Sequence, residues 1–413
     1  MGKFLRAFSL GCGSVITLGI MLYMAARIFQ VSILGYALSS ASRVVAILGD
    51  HVPILDTQYG KIQIHSTRLN QGQHLTIACA DCRLNNQQVS ELPFSTSRAI
   101  LEGDLKQNTF TGEAKIEGIT ARIQANWSSF VTTGSFWLPE TEISQVYQAL
   151  RTIIPESEHA KITGVVSGQG NFTWPDVYFY FKPRVRNFTV SGLIDKEKYT
   201  HGIFQYHGKD EQGQDLIIET GDSNARWVPL ANMSPYLPAA IIAVEDRGFY
   251  QHPGYDIESI LDATLYNKKS GKFKRGGSTL TQQLAKNLFL SEEKTYARKL
   301  RELLYAVEID RELGKKRILE LYLNVVEFGP ALYGIKDAAQ RYFHKSPSEI
   351  LPEEAAWLAS ILRSPSHGYL YQYQKQSPDM TRVRNILHLM TGVDTAQIDN
   401  ALQREVAFQH GNP

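Results

Sequence analysis

Residues 298–312 read RKLRELLYAVEIDRE, and their apolar side chains recur on one side of a helix while charged side chains occupy the other. This pattern predicts an amphipathic helix whose apolar stripe faces a protein core. The apolar positions are Leu300, Leu303, Leu304 and Val307. A second helix is predicted to begin at Pro352, because a proline followed by two acidic residues is typical of a first helical turn. We therefore predict that the chain is mainly helical from about Pro229 to Leu370.

Upstream of this region the pattern changes to short runs of alternating apolar and polar residues. Examples are KIQIH at 61–65 and VYFYF at 177–181, and residues 60–192 separate such runs with Gly, Asn, Pro and Ser. Alternation with period two predicts β-strands. Residues 140–154 interrupt it with apolar side chains at helical spacing, which predicts one helix packed on the sheet. This part of the sequence shows no catalytic constellation.

The amino terminus has the pattern of a membrane anchor. Lys3 and Arg6 precede an uncharged apolar stretch at residues 8–26, and Arg27 follows it. About 19 apolar residues are enough to cross a bilayer as a helix. The leading positive charges favour a cytoplasmic amino terminus, which places the rest of the chain outside the membrane. A cleaved signal peptide is the alternative, although the residues before Arg27 make a poor cleavage site.

Length and composition fit an anchored protein with two folded domains. The chain has 413 residues, 20% of them charged, and a formal net charge of only +2. This weak overall charge does not predict nucleic acid as a partner. We expect an α+β protein with an N-terminal transmembrane helix, divided into a membrane anchor at 1–48, a β-rich extracytoplasmic domain at 49–229, a helical domain at 230–375 and a C-terminal helical tail at 376–413.

Two of the three cysteines form a closely spaced pair. Cys12 lies in the predicted span, whereas Cys79 and Cys82 belong to a CADC segment. A zinc site needs further ligands, and no second cysteine pair or histidine cluster is near in sequence. In an exported domain a disulfide between Cys79 and Cys82 is favoured, and thioredoxin-like redox chemistry is the remaining alternative.

The first polar cluster of the helical region is EDRGFYQHPG at 245–254, which follows an apolar run at 239–244. A carboxylate at the end of a buried helix, such as Glu245, can have its pKa raised by partial desolvation, which suits it to proton transfer near neutral pH. Taken alone, Glu245 is more often a salt-bridged surface residue.

The second cluster is KFKRGGSTLTQQLAKN at 272–287. Its glycines allow close approach to the backbone, and its Ser, Thr, Gln, Lys and Asn side chains supply the hydrogen-bond donors that a diphosphate requires. The GxxxxGK[ST] spacing of a P-loop is absent, which argues against nucleotide binding of that kind. The structural alternative is a solvated loop that leads into a helix.

The third cluster places a carboxylate and two guanidinium groups on one side of the predicted helix at 298–312. Arg298, Arg301 and Glu302 share this side, so they can face one cleft. As an isolated observation, such a group is usually a solvated helix face.

Five segments together resemble the motifs of glycosyltransferase family 51, which includes monofunctional peptidoglycan polymerases and the corresponding domain of class A penicillin-binding proteins. The resemblance covers about Leu230 to Leu370, roughly a third of the chain. The five segments occur in the family's order: EDRGFYQHPG at 245–254, GGSTLTQQLAKN at 276–287, RKLRE at 298–302, KKRILELYLN at 315–324 and PEEAAWLASILRSP at 352–365. No SxxK, SxN and KTG set follows them, so we expect no fused transpeptidase.

The resemblance implies a lysozyme-like helical domain with a membrane-embedded lobe between Tyr255 and Phe273. It implies that Glu245 is the general base for the 4-hydroxyl of the acceptor GlcNAc, that Glu302 is a second essential carboxylate, and that the donor MurNAc is inverted as lipid diphosphate leaves. The matched positions expected to contact substrate or diphosphate are Asp246, Phe249, His252, Arg275, Ser278, Thr279, Gln282, Gln283, Lys286, Asn287, Lys294, Arg298 and Glu320. Lys294 departs from a frequent arginine, and it loses bidentate contact with the diphosphate.

The implied partners are lipid II, the nascent glycan strand and the lipid bilayer, and the β-rich domain is a candidate site for cell-wall assembly proteins. The implied location is the bacterial inner membrane, with a single span and a periplasmic catalytic domain. The sequence leaves open whether a divalent cation such as Mg²⁺ or Mn²⁺ is a cofactor, because it contains no carboxylate cluster that predicts a metal site. Two alternatives are a lysozyme-like glycan hydrolase and a non-catalytic envelope scaffold or lipid-binding protein with a degenerate transferase domain.

Overall fold

A computed structural model describes residues 54–85, 87, 89–128, 131–174, 178–270, 276–291, 293 and 295–409. The predicted membrane span at 8–26 lies outside these residues. Within them, no helix combines the length and the apolar character needed to cross a bilayer. The described residues form two compact units: the first contains those up to Leu193 with those in Ile257–Gly277 and Glu293–Leu304, and the second contains those in Ile194–Asp256 and Ser278–Glu292 and those from Tyr305 onward.

The first unit is built on a nine-stranded antiparallel sheet whose strands are neighbours in sequence order. Alternate side chains along these strands are buried and exposed, as expected of a sheet that covers a core with one face. The strands are β1 Leu55–Thr57, β2 Gly60–Leu69, β3 Gly72–Leu84, β4 Phe94–Lys106, β5 Thr109–Ile116, β6 Ile119–Trp127, β7 Thr132–Glu142, β8 Lys161–Trp174 and β9 Tyr178–Ser191. The predicted β-rich region is thereby confirmed. Cys79 and Cys82 in β3 are joined as a disulfide, with their Cα atoms 5.8 Å apart.

The helix predicted within the β-rich region is also confirmed. It is α1, Ile143–Ala149, and it packs against β7 and β8 with Ile143, Val146 and Tyr147 buried. A 3₁₀ turn follows at Pro155–Glu158.

The part of the second unit that the structure describes is helical apart from two short hairpins, β10 Ile203–Lys209 with β11 Asp215–Gly221, and β12 Glu327–Gly329 with β13 Leu332–Tyr333. The other helices among the described residues are α2 Lys196–Thr200, α3 Tyr236–Glu245, α4 Ile257–Ser270, α5 Leu280–Phe289, α6 Tyr296–Val325, α7 Ile335–Phe343, α8 Pro352–Ile361, α9 Pro365–His367, α10 Met380–Leu387 and α11 Thr395–Leu402. Short 3₁₀ turns lie at Leu230–Asn232 and Pro347–Glu349, and a π-helical turn lies at Gly368–Tyr373. The first unit contributes α4 and residues 296–304 of α6. The predicted domain boundary at residue 229 differs from this division, because residues 194–229 belong to the second unit.

The predicted helices at 298–312 and from Pro352 are both present. The first is part of α6, which continues to Val325 past a non-helical Gly314 at φ 71°. The second is α8, in which all ten residues are buried and which packs against α3, α10 and α11. Helix α8 therefore forms the centre of the second unit and supports α3, the helix that ends at Glu245.

Candidate active site

Glu245 is the last residue of α3, a helix whose residues Leu237, Ala240, Ile241 and Ala243 are buried. The apolar run fixes the helix in the core, and its end delivers the carboxylate to a half-buried position. Burial raises the pKa of the Glu245 carboxyl above its ordinary value, and the neighbouring charge of Asp246 acts in the same direction. The group is therefore a better proton acceptor than an exposed glutamate, which is the property expected of a general base.

A chain of two hydrogen bonds orients this carboxylate. The Gln283 Nε2 atom donates to Glu245 Oε2 at 2.8 Å, and the Tyr322 hydroxyl donates to Gln283 Oε1 at 2.9 Å. Because the Tyr322 hydroxyl donates to the amide oxygen of Gln283, the amide nitrogen of Gln283 is the end that faces Glu245. Tyr322 is fully buried, and burial raises its pKa well above the ordinary value, so its hydroxyl keeps its proton. Gln283 thus holds the carboxylate through a fixed donor.

Two arginines of the second unit act on the same carboxylate by charge. Arg382 in α10 and Arg363, which follows α8, both lower the pKa of Glu245 and oppose the effect of its burial, as does the hydrogen bond from Gln283. Arg363 is exposed and Arg382 is half-buried. Positive charge beside a candidate base suits a reaction in which an anionic group leaves.

Asp246 and His252 form a buried pair directly after α3. Both Asp246 carboxylate oxygens lie 2.9 Å from His252 Nε2, and Asp246 Oδ2 also accepts from the backbone nitrogen of Leu280 at 2.9 Å. The two side chains are only 4% and 7% exposed. The carboxylate therefore caps the start of α5 and fixes the turn after Glu245, which gives Asp246 and His252 a positioning role.

The start of α5 is also closed by its own residues. Thr279 Oγ1 accepts from the Gln282 backbone nitrogen, and Gln282 Oε1 accepts from the Thr279 backbone nitrogen at 3.0 Å, which is a capping box. The Thr279 hydroxyl donates to the carbonyl oxygen of Gly254 at 2.7 Å. Thr279 and Gln282 are 3% and 1% exposed. These contacts hold α5, which in turn positions Gln283. The predicted contact of Thr279 and Gln282 with the substrate stays a prediction.

The other predicted positions in the second unit divide between interior and surface. Phe249 is fully buried, and the Lys315 ammonium lies 4.8 Å from its ring centroid. Glu320 accepts from the backbone nitrogen of Leu230 at 2.7 Å and pairs with Arg317, so it ties α6 to the preceding segment. The more accessible members are exposed Lys286 and half-buried Ser278 and Asn287.

Glu302 lies in the first unit and is 1% exposed. Its carboxylate is paired with Arg298 and with Lys299, whose Nζ is 2.6 Å away. Arg301 pairs instead with Glu156 at 2.6 Å. The predicted arrangement, with Arg298, Arg301 and Glu302 all facing one cleft, is therefore wrong for Arg301, because its guanidinium is held by the β-rich region.

Two further contacts join this part of α6 to the β-rich region. The Tyr147 hydroxyl donates to the Leu300 carbonyl oxygen at 3.2 Å, and the Ala297 backbone nitrogen donates to the Val89 carbonyl oxygen at 2.9 Å. The β-rich region thus holds the helical turn that carries Glu302.

Sequence reasoning missed Tyr322, Arg363 and Arg382 as residues that act on Glu245. Tyr322 and Arg363 lie within the motifs at 315–324 and 352–365, but Arg382 lies in the predicted tail, where no sequence pattern indicates a functional residue.

Arg275 and Lys294 lie outside the described residues. Among the described residues, no group of three or more His, Cys, Asp or Glu side chains is close enough to hold a metal ion.

Comparison with known proteins identifies the family of this chain. The family model described as Transglycosylase matches residues 213–391. A protein of Nitrosomonas eutropha named "Biosynthetic peptidoglycan transglycosylase" is 45% identical over 173 residues, which are 42% of this chain and 69% of that protein. The chain belongs to the transglycosylase family.

Further transglycosylases of the same name show similar identity. The protein of Cupriavidus metallidurans is 48% identical over 34% of this chain and 60% of its own length, and that of Alcanivorax borkumensis is 42% identical over 41% and 69%. Among solved structures, penicillin-binding protein 1A from Haemophilus influenzae is 22% identical, with a TM-score of 0.26. The match covers 51% of this chain and 22% of the length of that protein. The transglycosylase match begins at residue 213, beyond the nine-stranded sheet.

Proposed function

We propose that this transglycosylase is a peptidoglycan glycosyltransferase that polymerises lipid II into glycan strands, with Glu245 as its general base. The observation that carries the proposal is the half-buried Glu245 carboxylate, whose pKa is raised and which Gln283 holds at 2.8 Å. Family membership supports the reaction class, and the names of the relatives support peptidoglycan as the product.

In the proposed reaction, Glu245 takes the proton from the 4-hydroxyl of the acceptor GlcNAc. The oxygen attacks C1 of the donor MurNAc, and the bond from C1 to the lipid diphosphate breaks with inversion. The proton ends on the Glu245 carboxylate, and the electron pair leaves with undecaprenyl diphosphate. A glycosyl transfer of this kind balances without a redox partner.

The leaving diphosphate needs positive charge and donors. Lys286 is exposed and lies three residues after Gln283 on α5, so both side chains belong to neighbouring positions on one helix face. We assign Lys286, with Ser278 and Asn287 nearby in sequence, to the diphosphate. Glu302, which is paired with Arg298 and Lys299, is assigned to the donor side.

We further propose a fold for the helical unit and a membrane location for the chain. The helical unit has the lysozyme-like arrangement that the family resemblance implies, and α4 with its exposed Leu265 and Tyr266 contributes to the membrane-embedded lobe. The apolar stretch at 8–26 anchors the chain in the inner membrane, with the catalytic domain in the periplasm. The substrate is itself anchored in that membrane, which supports this location.

The test is polymerisation of labelled lipid II by the full chain in detergent, with the products separated by length. We expect long glycan strands from the native protein and none from Glu245→Gln or Glu302→Gln. Glu405→Gln is the matched control, because Glu405 is an exposed glutamate in the second unit. It should polymerise at the native rate.

Two results would contradict the proposal. Native polymerisation by the Glu245→Gln variant would show that Glu245 is not the general base. Cleavage of preformed glycan strands without polymerisation of lipid II would indicate a hydrolase instead.

A further inference from the structure

The exposed face of the nine-stranded sheet carries a groove of about 650 Å³ on strands β5–β9, all within the first unit. Burial alternates along the strands that form it. On β6, Arg122 and Gln124 are exposed while Ile123 between them is buried, and on β7 the exposed Trp137 follows the buried Phe136. The inner face is apolar, with the Phe136 and Phe181 rings stacked at 5.5 Å between centroids. The groove therefore lies on the opposite, outward face.

Side chains in the groove form two rows that cross the strands. In the first row, Arg122 is directly opposite Trp137, and Trp137 is directly opposite Gln169. Directly opposite residues of antiparallel strands place their side chains on the same face within contact range. The row thus joins β6, β7 and β8 around one aromatic ring.

The second row lies two residues further along each strand. Gln124 is opposite Ser135, and Ser135 is opposite Asn171. The neighbouring strand β9 extends the two rows with Lys182 opposite Gln169 and Tyr180 opposite Asn171. Five strands at about 4.8 Å spacing give the groove a length of about 19 Å, which suits an extended chain molecule.

An aromatic ring stands among amide side chains in this groove. Trp137 is 41% exposed, and the Arg122 guanidinium lies 4.9 Å from its ring centroid, which holds the ring in place. An indole offers a flat apolar surface for the C–H face of a pyranose ring. Amide groups offer both donors and acceptors, which match sugar hydroxyl and N-acetyl groups.

Charge in the groove excludes other classes of ligand. Its charged lining residues are Glu113, Arg122 and Lys182, a formal sum of +1. Glu113 Oε1 lies 3.9 Å from Arg122 Nε, and Glu113 Oε2 lies 3.4 Å from Lys115 Nζ, so part of the charge in the groove is compensated within the protein. Nucleic acid calls for many uncompensated cations, and lipid chains call for an apolar lining. A neutral or weakly anionic saccharide fits the remaining chemistry.

We propose that this groove binds an oligosaccharide chain of N-acetylated amino sugars, which, if the proposed function holds, is the glycan strand that the helical unit makes. The β-rich region then acts as a holding site for product. None of the residues that line the groove is among those assigned to the transfer reaction.

The test uses hydrogen exchange of the full chain with a tetrasaccharide of N-acetylglucosamine as the probe. We expect amide exchange in residues 119–127, 132–142 and 161–174 to slow on addition of the probe. Trp137→Ala and Asn171→Ala should each weaken this protection by about tenfold in probe concentration. Thr133→Ala is the control, because Thr133 is exposed on the same strand two residues beyond Ser135 and does not line the groove.

Unchanged protection in Trp137→Ala would overturn the inference, as would protection by phospholipid vesicles or oligonucleotides in place of the saccharide. The result is independent of catalysis. Groove protection without polymerisation of lipid II would reject the proposed function alone, and polymerisation without groove protection would reject the groove alone.

Discussion

Gln283 donates to the Glu245 carboxylate from α5, a helix whose start is capped by Asp246, the residue that follows Glu245. The candidate base and the donor that orients it are thus locked to each other through both side chain and backbone. Burial raises the pKa of Glu245, while the hydrogen bond from Gln283 lowers it. The protonation of Glu245 is therefore set by a balance that single substitutions can shift.

Gln283→Leu removes the donor while keeping the side chain's approximate size. Because the hydrogen bond favours the charged carboxylate, its loss raises the pKa of Glu245 further. A base is active when it is deprotonated, so the acidic limb of the plot of kcat/KM against pH should move to higher pH. The measurement is the initial rate of lipid II polymerisation across the acidic range.

Tyr322→Phe is the matched variant for this prediction. It removes the hydroxyl that holds Gln283 Oε1 and leaves the amide in place, so its acidic limb should move in the same direction by less. If the acidic limb of kcat/KM in Gln283→Leu coincided with that of the native protein, the protonation of Glu245 would not limit kcat/KM at acidic pH.

Periodicity in the sequence predicted the main elements because it reflects burial directly. The helices at 298–312 and from Pro352, the strands, and the helix around Val146 were all predicted from their spacing. Contacts between distant residues were not predictable in this way. Tyr322 and Gln283 are 39 positions apart, and nothing in either local pattern indicates their hydrogen bond.

Glu302 shows the limit of the amphipathic pattern itself. Its position on the charged side of the helix predicted an accessible carboxylate, but it is 1% exposed. Arg298 and Lys299 compensate its charge, which allows a carboxylate to be buried. A pattern of polar residues cannot distinguish a solvated face from one buried as ion pairs.

Arg301→Gln tests whether the β-rich region holds the helical turn that carries Glu302. The substitution leaves Glu156, with a side chain only 8% exposed, without its cationic partner. We expect faster hydrogen exchange in residues 296–304 and a several-fold lower rate of lipid II polymerisation. Arg311→Gln is the control on the same helix, because Arg311 is exposed and its ion pair is with its neighbour Glu312.

Native exchange and native polymerisation in Arg301→Gln would contradict this link. Faster exchange with a native rate would show that the contact stabilises the turn without affecting the reaction.

Asp246→Ala tests the capping role of the residue beside the candidate base. The Asp246 carboxylate accepts from both His252 Nε2 and the Leu280 backbone nitrogen. Its removal leaves two buried groups without that partner, which should lower the free energy of unfolding by about 2–4 kcal/mol. The helix start at Leu280 should open first, since its cap is lost. Urea unfolding measures the stability, and hydrogen exchange of residues 278–290 locates the change.

Asp399→Ala is the matched control, because Asp399 is an exposed aspartate on α11. It should change the free energy of unfolding by no more than about 0.5 kcal/mol. If Asp246→Ala matched this control in stability and in exchange at residues 278–290, the carboxylate would have no capping role. Loss of polymerisation in that stable variant would then assign Asp246 to direct contact with the substrate, as the motif resemblance implies.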